Sequence, residues 1–246
     1  RSRPLVEHVV AAGANVVVVD RTALGSEAVV HQAASLHEHG VRVRTLSLFY
    51  EQWLGKLPVS ELERVSLLFD IREVHGASYA RVKRLLDLAV AVVATPLFVL
   101  SVPFVLVGNA LANRGPLLYR QQRVGKNGQL FAIVKFRTMR PGGAAPTTWT
   151  ATDDPRVTPF GRLLRRTHLD ELPQVLNILR GDLSVVGPRP EQPHYVEELR
   201  RKLPFYDLRH LIRPGLTGWA QVKYGYAADD RDALEKLQYE FWYLRH

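Results

Sequence analysis

From Leu88 to Ala112 the chain carries no charged side chain, and no other stretch restricts its possible folds so strongly. About 20 apolar residues are enough to cross the hydrocarbon core of a bilayer, so a run of this length predicts a membrane-inserted segment over about residues 85–112. Basic residues flank it: Arg81, Lys83 and Arg84 before, Arg114 to Arg123 after. Two prolines, Pro96 and Pro103, interrupt it, and a proline frees a backbone carbonyl and bends a helix. The residues therefore allow an ordinary spanning helix, in which proline is tolerated. They also allow a segment that turns at Thr95-Pro96 and comes back, with the Thr95 hydroxyl serving a freed carbonyl. A crossing helix would put the two basic clusters on opposite sides, against the positive-inside tendency, whereas a returning one keeps both with the cytoplasm and its anionic headgroups. Asp87 lies three residues beyond Arg84, so the two can meet on one helical face. That contact reads equally as a surface ion pair and as a device that eases a carboxylate into the membrane boundary.

The chain has 246 residues, enough for one large or two small domains, and 46% of them are hydrophobic, which supports a packed core. The formal net charge is +9, with Lys and Arg gathered from Arg114 to Arg140 and from Arg156 to Arg213, so a polyanionic partner is expected. An anionic membrane or a nucleotide diphosphate qualifies. Nucleic acid is not expected, because no zinc-finger, helix-turn-helix or aromatic RNA-binding pattern occurs. The absence of cysteine removes disulfides, thiolate nucleophiles and thiolate metal sites, so a nucleophile must be oxygen or nitrogen. The sequence opens at Arg1 without a Met or a signal region and stops at His246 inside a helical pattern, which reads as a piece of a longer protein, truncated at its C-terminus.

Residues 1–75 have their own character. Asn15 to Asp20 is a β-branched run of the kind found in parallel strands, Gly25 to His39 reads as a helix with Ser26 as cap and Gly40 as stop, and Val41 to Leu46 reads as the next strand. This βαβ order predicts a partial Rossmann-like, CoA-binding-like module. No G-x-G-x-x-G follows either strand, so a dinucleotide is not expected and a regulatory or spacing role is. A linker over 73–77 leads into the apolar run. Beyond it, Leu117 to Tyr119 and Gln129 to Phe136 read as strands joined through Gly125-Lys126-Asn127-Gly128, a small β-hairpin. Lys135 and Arg137, two residues apart, share one face, either solvated or turned to phosphate. Pro141 to Trp149 reads as a mobile loop, and Phe160 to Arg166 as a basic helix.

That helix runs into Leu169-Asp170-Glu171-Leu172-Pro173-Gln174. Leu172, Val175, Leu176 and Leu179 then recur at the spacing of one buried helical face and Gly181 follows as a stop, so a helix starts near Asp170, with Asp170 as N-cap and Pro173 in the first turn. The adjacent carboxylates can serve capping alone. They can also serve chemistry on an anion, provided that cations such as Arg162, Arg165, Arg166 and Arg189 or a divalent metal intervene. Arg189 lies between Pro188 and Pro190, whose fixed φ angles present its guanidinium from a stiff backbone.

Six segments in order decide between these readings: Gln122-Arg123-Val124-Gly125, Lys135-Phe136-Arg137-Thr138-Met139, Asp154-Pro155-Arg156-Val157-Thr158, the stretch Leu169 to Gln174, the stretch Gly181 to Glu191, and Arg213-Pro214-Gly215-Leu216-Thr217-Gly218-Trp219-Ala220-Gln221. Together, from about Tyr79 to His246, they resemble the bacterial sugar transferases, the monotopic polyprenyl-phosphate phosphoglycosyl transferases, in the long form that carries a preceding cytosolic module. The resemblance implies a mainly helical α+β catalytic domain over 76–246 with a re-entrant membrane helix hairpin, its anchor marked by Lys83, Arg84, Asp87, Thr95 and Pro96. It implies transfer of a sugar 1-phosphate from a UDP-sugar to polyprenyl (undecaprenyl) phosphate with release of UMP, the initiating step of exopolysaccharide, capsule or O-antigen synthesis. Asp170 would be the nucleophile and a ligand of Mg²⁺, and Glu171 an assisting group. Lys135, Arg137, Arg165, Arg189, Glu191, Arg209, Arg213, Thr217 and Gln221 would bind substrate, with Tyr206 near the nucleotide. The place of action would be the cytosolic face of the bacterial inner membrane, against lipids of that leaflet, and a homo-oligomer stays open. Glu240 stands where the family commonly has Asp, a departure that leaves it without an assigned role. The alternative class is a non-catalytic membrane-bound scaffold of polysaccharide assembly.

Overall fold

The computed structural model describes residues 4–59, 77–113, 115–140, 154–225 and 230–246. The loop expected over 141–149, most of the linker over 73–77, Arg114, Asp153 and the first module beyond residue 59 lie outside the described residues. Among the described residues the architecture is mixed α/β, mostly helical, with three two-stranded sheets.

The opening βαβ order is present. Helix α1 (Pro4–Ala11) precedes β1 (Val16–Val19), α2 (Glu27–Ser35) and β2 (Arg42–Thr45), and the two strands pair in parallel with Val16 opposite Arg42. Val6 and Val9 of α1 meet Leu36 and Val41 in a small core. Gly40 closes the helical segment at φ 73°, the left-handed conformation that suits glycine after a helix. Ser26 occupies the cap position without a capping bond. The stretch after β2 turns onto the C-terminal helix: Trp242 Nε1 donates to Glu51 O at 3.1 Å, Lys56 Nζ meets Glu235 Oε2 at 2.6 Å, and Leu57 N donates to Gln238 O at 3.0 Å. Leu57 is buried there with Leu237, Phe241 and Leu244.

The apolar run forms α3 (Ala77–Gly108), followed by a π-turn over Asn109–Asn113. Its 32 residues give a length of about 48 Å at 1.5 Å per residue. One helix passes through Pro96 and Pro103, where the sequence suggested a division into a hairpin at Thr95-Pro96. The Thr95 hydroxyl donates to Ala91 O at 2.7 Å and Ser101 to Phe98 O at 2.7 Å, so side-chain donors support the helix beside its prolines.

The rest of the chain makes the body against which α3 lies. Strands β3 (Leu118–Val124) and β4 (Leu130–Phe136) form the expected antiparallel hairpin, Leu118 opposite Phe136. Helix α4 (Pro159–Arg166) leads through the turn Leu169–Gln174 into α5 (Val175–Arg180), and β5 (Ser184–Val186) pairs in parallel with β6 (Gly215–Thr217). Helices α6 (Pro193–Lys202), α7 (Trp219–Lys223) and α8 (Asp230–Arg245) complete it.

A single stripe of α3 touches this body. Ala91 is fully buried with Val175, Ile178 and Leu183, and Val105 packs with Phe136 and Leu164. Away from the stripe, Val93 is 74% exposed and Leu100 73%. Apolar surface of this extent exposed along a helix marks a contact with lipid or protein. At the N-terminal part of α3, Asp87 Oδ1 accepts from Val185 N and Ser184 Oγ, both at 2.9 Å, and lies 3.7 Å from Lys83 Nζ. The predicted Arg84–Asp87 contact is therefore replaced. Arg84 turns to the C-terminal carbonyls of α5, donating to Ile178 O at 2.6 Å and Leu179 O at 2.9 Å, where unpaired carbonyls and the helix dipole draw a cation.

Candidate active site

Asn177 fixes where the acidic turn lies. Fully buried in α5, it donates from Nδ2 to Ala132 O at 2.8 Å and accepts at Oδ1 from Val134 N at 3.1 Å, fastening α5 to the outer edge of β4. The turn before α5 is thereby laid beside Lys135. This turn is a 3-10 helix over Leu169–Gln174, and the residue at its cap position is His168, at φ 57°, which corrects the expectation that Asp170 is an N-cap. Pro173 lacks an N–H and sits within the turn, so regular α-helix begins only at Val175. Asp170 is consequently free of capping duty.

The two carboxylates meet different surroundings. Glu171 Oε1 lies 2.5 Å from Lys135 Nζ and 3.6 Å from Arg189 Nη2. Burial pushes its carboxyl up, but Lys135 and then Arg189 outweigh this and hold it below the usual range. Asp170 is 9% exposed, and among the described residues its carboxylate makes no hydrogen bond and no ion pair. Burial raises its pKa above the usual carboxylate range; Lys135 pulls against the rise, Glu171 adds to it, and Arg165 and His168 oppose it. One acid is thus committed to cations and the other is uncommitted, the division of labour expected when neighbouring carboxylates have separate tasks.

The cations are positioned by the backbone. Arg165 Nε donates to Thr138 Oγ1 at 2.9 Å, a contact that needs α4 close to the end of β4. Gly161 permits it, since a Cβ there would stand 1.9 Å from Thr138 O. The strap Gly187-Pro188-Arg189 is bonded to β6, Gly187 N donating to Thr217 O at 2.9 Å and Gly215 N to Pro188 O at 2.8 Å. Beneath it Arg209, 4% exposed, donates to Arg189 O at 2.8 Å and to Tyr206 Oη at 2.9 Å, and forks onto Glu240 at 2.8 and 2.7 Å. Glu240 therefore has a role that the sequence left unassigned: it is the counter-ion of the residue that supports Arg189.

The structure gathers Asp170, Glu171, Lys135 and Arg189, with Arg165 close enough to act on the Asp170 charge. The remaining expected substrate ligands make other contacts. Arg137 is buried at the end of α3, donating to Asn113 O at 2.7 Å and Asn109 Oδ1 at 3.2 Å. It sits one residue past the end of β4, and so it is taken up by the helix end while Lys135 reaches Glu171. The Glu191 backbone carbonyl accepts from Val124 N at 2.9 Å, and its carboxylate lies 3.8 Å from Arg123 Nη1. Arg213 stands beside Arg84 over Gly181, by α3. Thr217 is exposed on β6, and Gln221 lines a pocket behind Arg189. An uncommitted carboxylate with Lys135 and Arg165 acting on its charge, and Arg189 on the neighbouring Glu171, can approach an electrophilic centre that carries negative oxygens.

The family model of the bacterial sugar transferases matches residues 78–246. The chain belongs to the bacterial sugar transferase family. Among similar proteins is the UDP-N-acetylgalactosamine-undecaprenyl-phosphate N-acetylgalactosaminephosphotransferase of Aeromonas hydrophila, 44% identical over 68% of this chain and 40% of its own length. The UDP-glucose:undecaprenyl-phosphate glucose-1-phosphate transferase of Escherichia coli K12 is 43% identical over 64% of this chain and 34% of its own length. The exopolysaccharide production protein ExoY of Sinorhizobium fredii is 42% identical over 62% of this chain and 71% of its own length. The present bacterial sugar transferase thus spans well under half the length of the first two relatives. The matched region begins at Ser78, so it contains all of α3 but its first residue and every residue of the acidic site, and it leaves the opening βαβ segment outside.

Proposed function

We propose that this sugar transferase moves a sugar 1-phosphate from a UDP-sugar to undecaprenyl phosphate, in two displacements through Asp170. The observation that carries this reading is the unbonded Asp170 carboxylate beside a Glu171 held by Lys135 and Arg189. The relatives' names supply the substrate classes.

In the first displacement an Asp170 oxygen attacks the sugar-linked phosphorus. A carboxyl–phosphorus bond forms, the bond to the bridging oxygen breaks, and UMP leaves with that oxygen. In the second, an oxygen of undecaprenyl phosphate attacks the same phosphorus and Asp170 departs as carboxylate, giving undecaprenyl-diphosphate sugar. One activated phosphate bond replaces another, so no further energy source is needed. Lys135, Arg165 and Arg189 offset the charge that builds on the phosphoryl oxygens. The raised Asp170 pKa suits a nucleophile that is poorly solvated in its charged form.

Mg²⁺ belongs to the same proposal. Among the described residues no group of three metal-ligating side chains gathers. The donor set is Asp170 with Glu171 already bound to cations, which fits an ion held by one or two carboxylates and otherwise by substrate phosphates and water. When bound it would neutralise diphosphate charge.

Helix α3 is proposed to lie in the cytosolic leaflet of the inner membrane with both ends on the cytosolic side. Support comes from its two ends: Arg84 and Asp87 bond α5 and β5, and Asn109 and Asn113 bond the segment around Arg137, all in one body. The test is covalent trapping. A UDP-sugar labelled at the sugar-linked phosphate should label the protein and release UMP, and Asp170→Asn should abolish both, lowering turnover by at least about 1,000-fold. UMP release without labelled protein would favour direct attack by the lipid phosphate, and no UMP release at all would favour a scaffold.

A further inference from the structure

Residues 50–58 lie outside the region that the family model matches, yet they are bonded into the body that carries the acidic site. The helical turn Tyr50–Leu54 ends at Gly55, at φ 62°. Two stacked indoles meet the segment there. The rings of Trp219 and Trp242 lie 4.8 Å apart at 23°, and each donates its Nε1–H to a carbonyl of this segment, Trp219 to Gly55 O at 2.7 Å and Trp242 to Glu51 O at 3.1 Å. Lys56 Nζ reaches Glu235 at 2.6 Å, and Leu57, 1% exposed, is buried with Leu237 and Phe241 of α8.

Trp219 leads from there to the reacting groups. It is the first residue of α7, and Gly218 before it packs directly on the strap: a Cβ at Gly218 would stand 2.2 Å from Gly187 O, and one at Gly215 2.1 Å from Gly187 N. No side chain separates this turn from the strap, and close-packed parts transmit strain, so a shift of Trp219 passes to Gly187 and, two residues on, to Arg189. Arg189 in turn lies 3.6 Å from Glu171. The fit at the Gly55 end is also close. A Cβ there would stand 3.0 Å from Trp219 Cζ2 and 3.3 Å from its Nε1, against a ring already stacked on Trp242 and covered by Lys223 Nζ at 4.7 Å.

We propose that residues 50–58 are a positioning element of the catalytic body: through Gly55 and Trp219 they fix the strap that presents Arg189 to the phosphoryl group. The inference rests on the phosphosugar transfer proposed above, in which Arg189 offsets charge on the phosphoryl oxygens. A guanidinium that serves the transition state more than the bound substrate contributes to kcat more than to KM. Displacing the strap by a fraction of an ångström therefore slows turnover and leaves substrate affinity nearly unchanged.

Steady-state UMP release by the whole chain in nanodiscs, with undecaprenyl phosphate and whichever of a panel of UDP-sugars the unsubstituted protein turns over, tests the assignment. Gly55→Asn supplies a residue that tolerates the left-handed backbone but sets a Cβ against Trp219. Trp219→Phe keeps a ring on Trp242 and removes the donor to Gly55 O. Each should lower kcat about tenfold with KM for the UDP-sugar within about threefold. Because both changes act on one contact, the double variant should be no more than about twofold slower than the slower single one. Lys56→Met, at a half-buried position tied to Glu235, should lower kcat about threefold by the same route, and it decides the matter if Gly55→Asn does not fold. Rates are compared where each variant is folded, so lost stability alone moves neither constant. Effects that multiply to about a hundredfold in the double variant overturn the proposal, as do kcat values within about twofold of the unsubstituted protein in the folded Gly55 and Lys56 variants. Either result leaves the transfer reaction standing, whereas no UMP release by the unsubstituted protein removes that reaction and this inference with it.

Discussion

Asp170 and Glu171 are neighbours in sequence and opposites in environment, and that contrast yields two measurable consequences. A carboxyl whose folded pKa lies above its unfolded value stabilises the fold at low pH, and this contribution is lost as pH rises through the folded pKa. Above that folded pKa the ionised Asp170 is therefore a burden on the fold. Asp170→Asn should raise the melting temperature at pH 7 while removing turnover, as expected of a site that trades stability for function; a lower melting temperature would mean that Asp170 is a structural acid. The second consequence concerns Lys135, the cation that acts most strongly against the rise in the Asp170 pKa. Lys135→Met should move the acidic limb of the pH–rate profile for UMP release to higher pH, because Asp170 then ionises later. An acidic limb that stays in place would mean that another group controls it.

Between elements, the decisive contacts join residues far apart in the chain. Arg209 and Glu240 form a buried forked ion pair under the Arg189 carbonyl, with side chains 4% and 6% exposed. Removing one member leaves an uncompensated buried charge, so Glu240→Ala should destabilise the protein by about 3–5 kcal/mol in urea unfolding. It should also lower kcat more than it changes KM, since Arg209 acts through Arg189. Glu240→Asp, which keeps the charge on a shorter arm, should fall between, and a neutral outcome for Glu240→Ala would remove the supporting role. Such pairs explain what the sequence could and could not disclose. The βαβ order, the β3–β4 hairpin and the glycine stops at Gly40 and Gly181 follow from local periodicity and turn chemistry, and they are present. The Lys135–Glu171 and Arg209–Glu240 pairs have no local signature, because only the docking of α5 on β4 and of α8 under the strap brings them together. Arg137 shows the same limit: alternation predicted its side of the strand, but not its bonds to Asn109 and Asn113 at the end of α3. In α3 itself the apolar residues surround the whole helix, so no periodic signal marked the stripe through Asp87, Ala91 and Val105 that packs on the body.

For the whole molecule, that stripe bears on which way the chain meets a bilayer. A helix of about 48 Å is longer than the roughly 30 Å hydrocarbon core, so length alone permits a crossing. A crossing would carry one end of α3 away from the body across the membrane. Yet Asp87 near one end accepts from Val185 N, and Asn109 near the other donates to Gly115 O and lies against Arg137, so separation would break both sets of bonds. Each buried polar group left unpaired in that way costs about 1–3 kcal/mol, more where it is charged. The arrangement that keeps them all places both ends on the side of the catalytic body, with the exposed Val93 and Leu100 surface in the apolar part of one leaflet. Because the chain has no cysteine, single reporters can be introduced on an unlabelled background. Cysteines placed at Ser78, just before the apolar run, and at Gln122, on β3 beyond it, are both exposed. A membrane-impermeant maleimide should label both in inverted inner-membrane vesicles and neither in intact spheroplasts. Labelling of the two positions from opposite sides would mean that α3 crosses the bilayer, and it would separate the Lys83–Arg84 cluster from the acidic site.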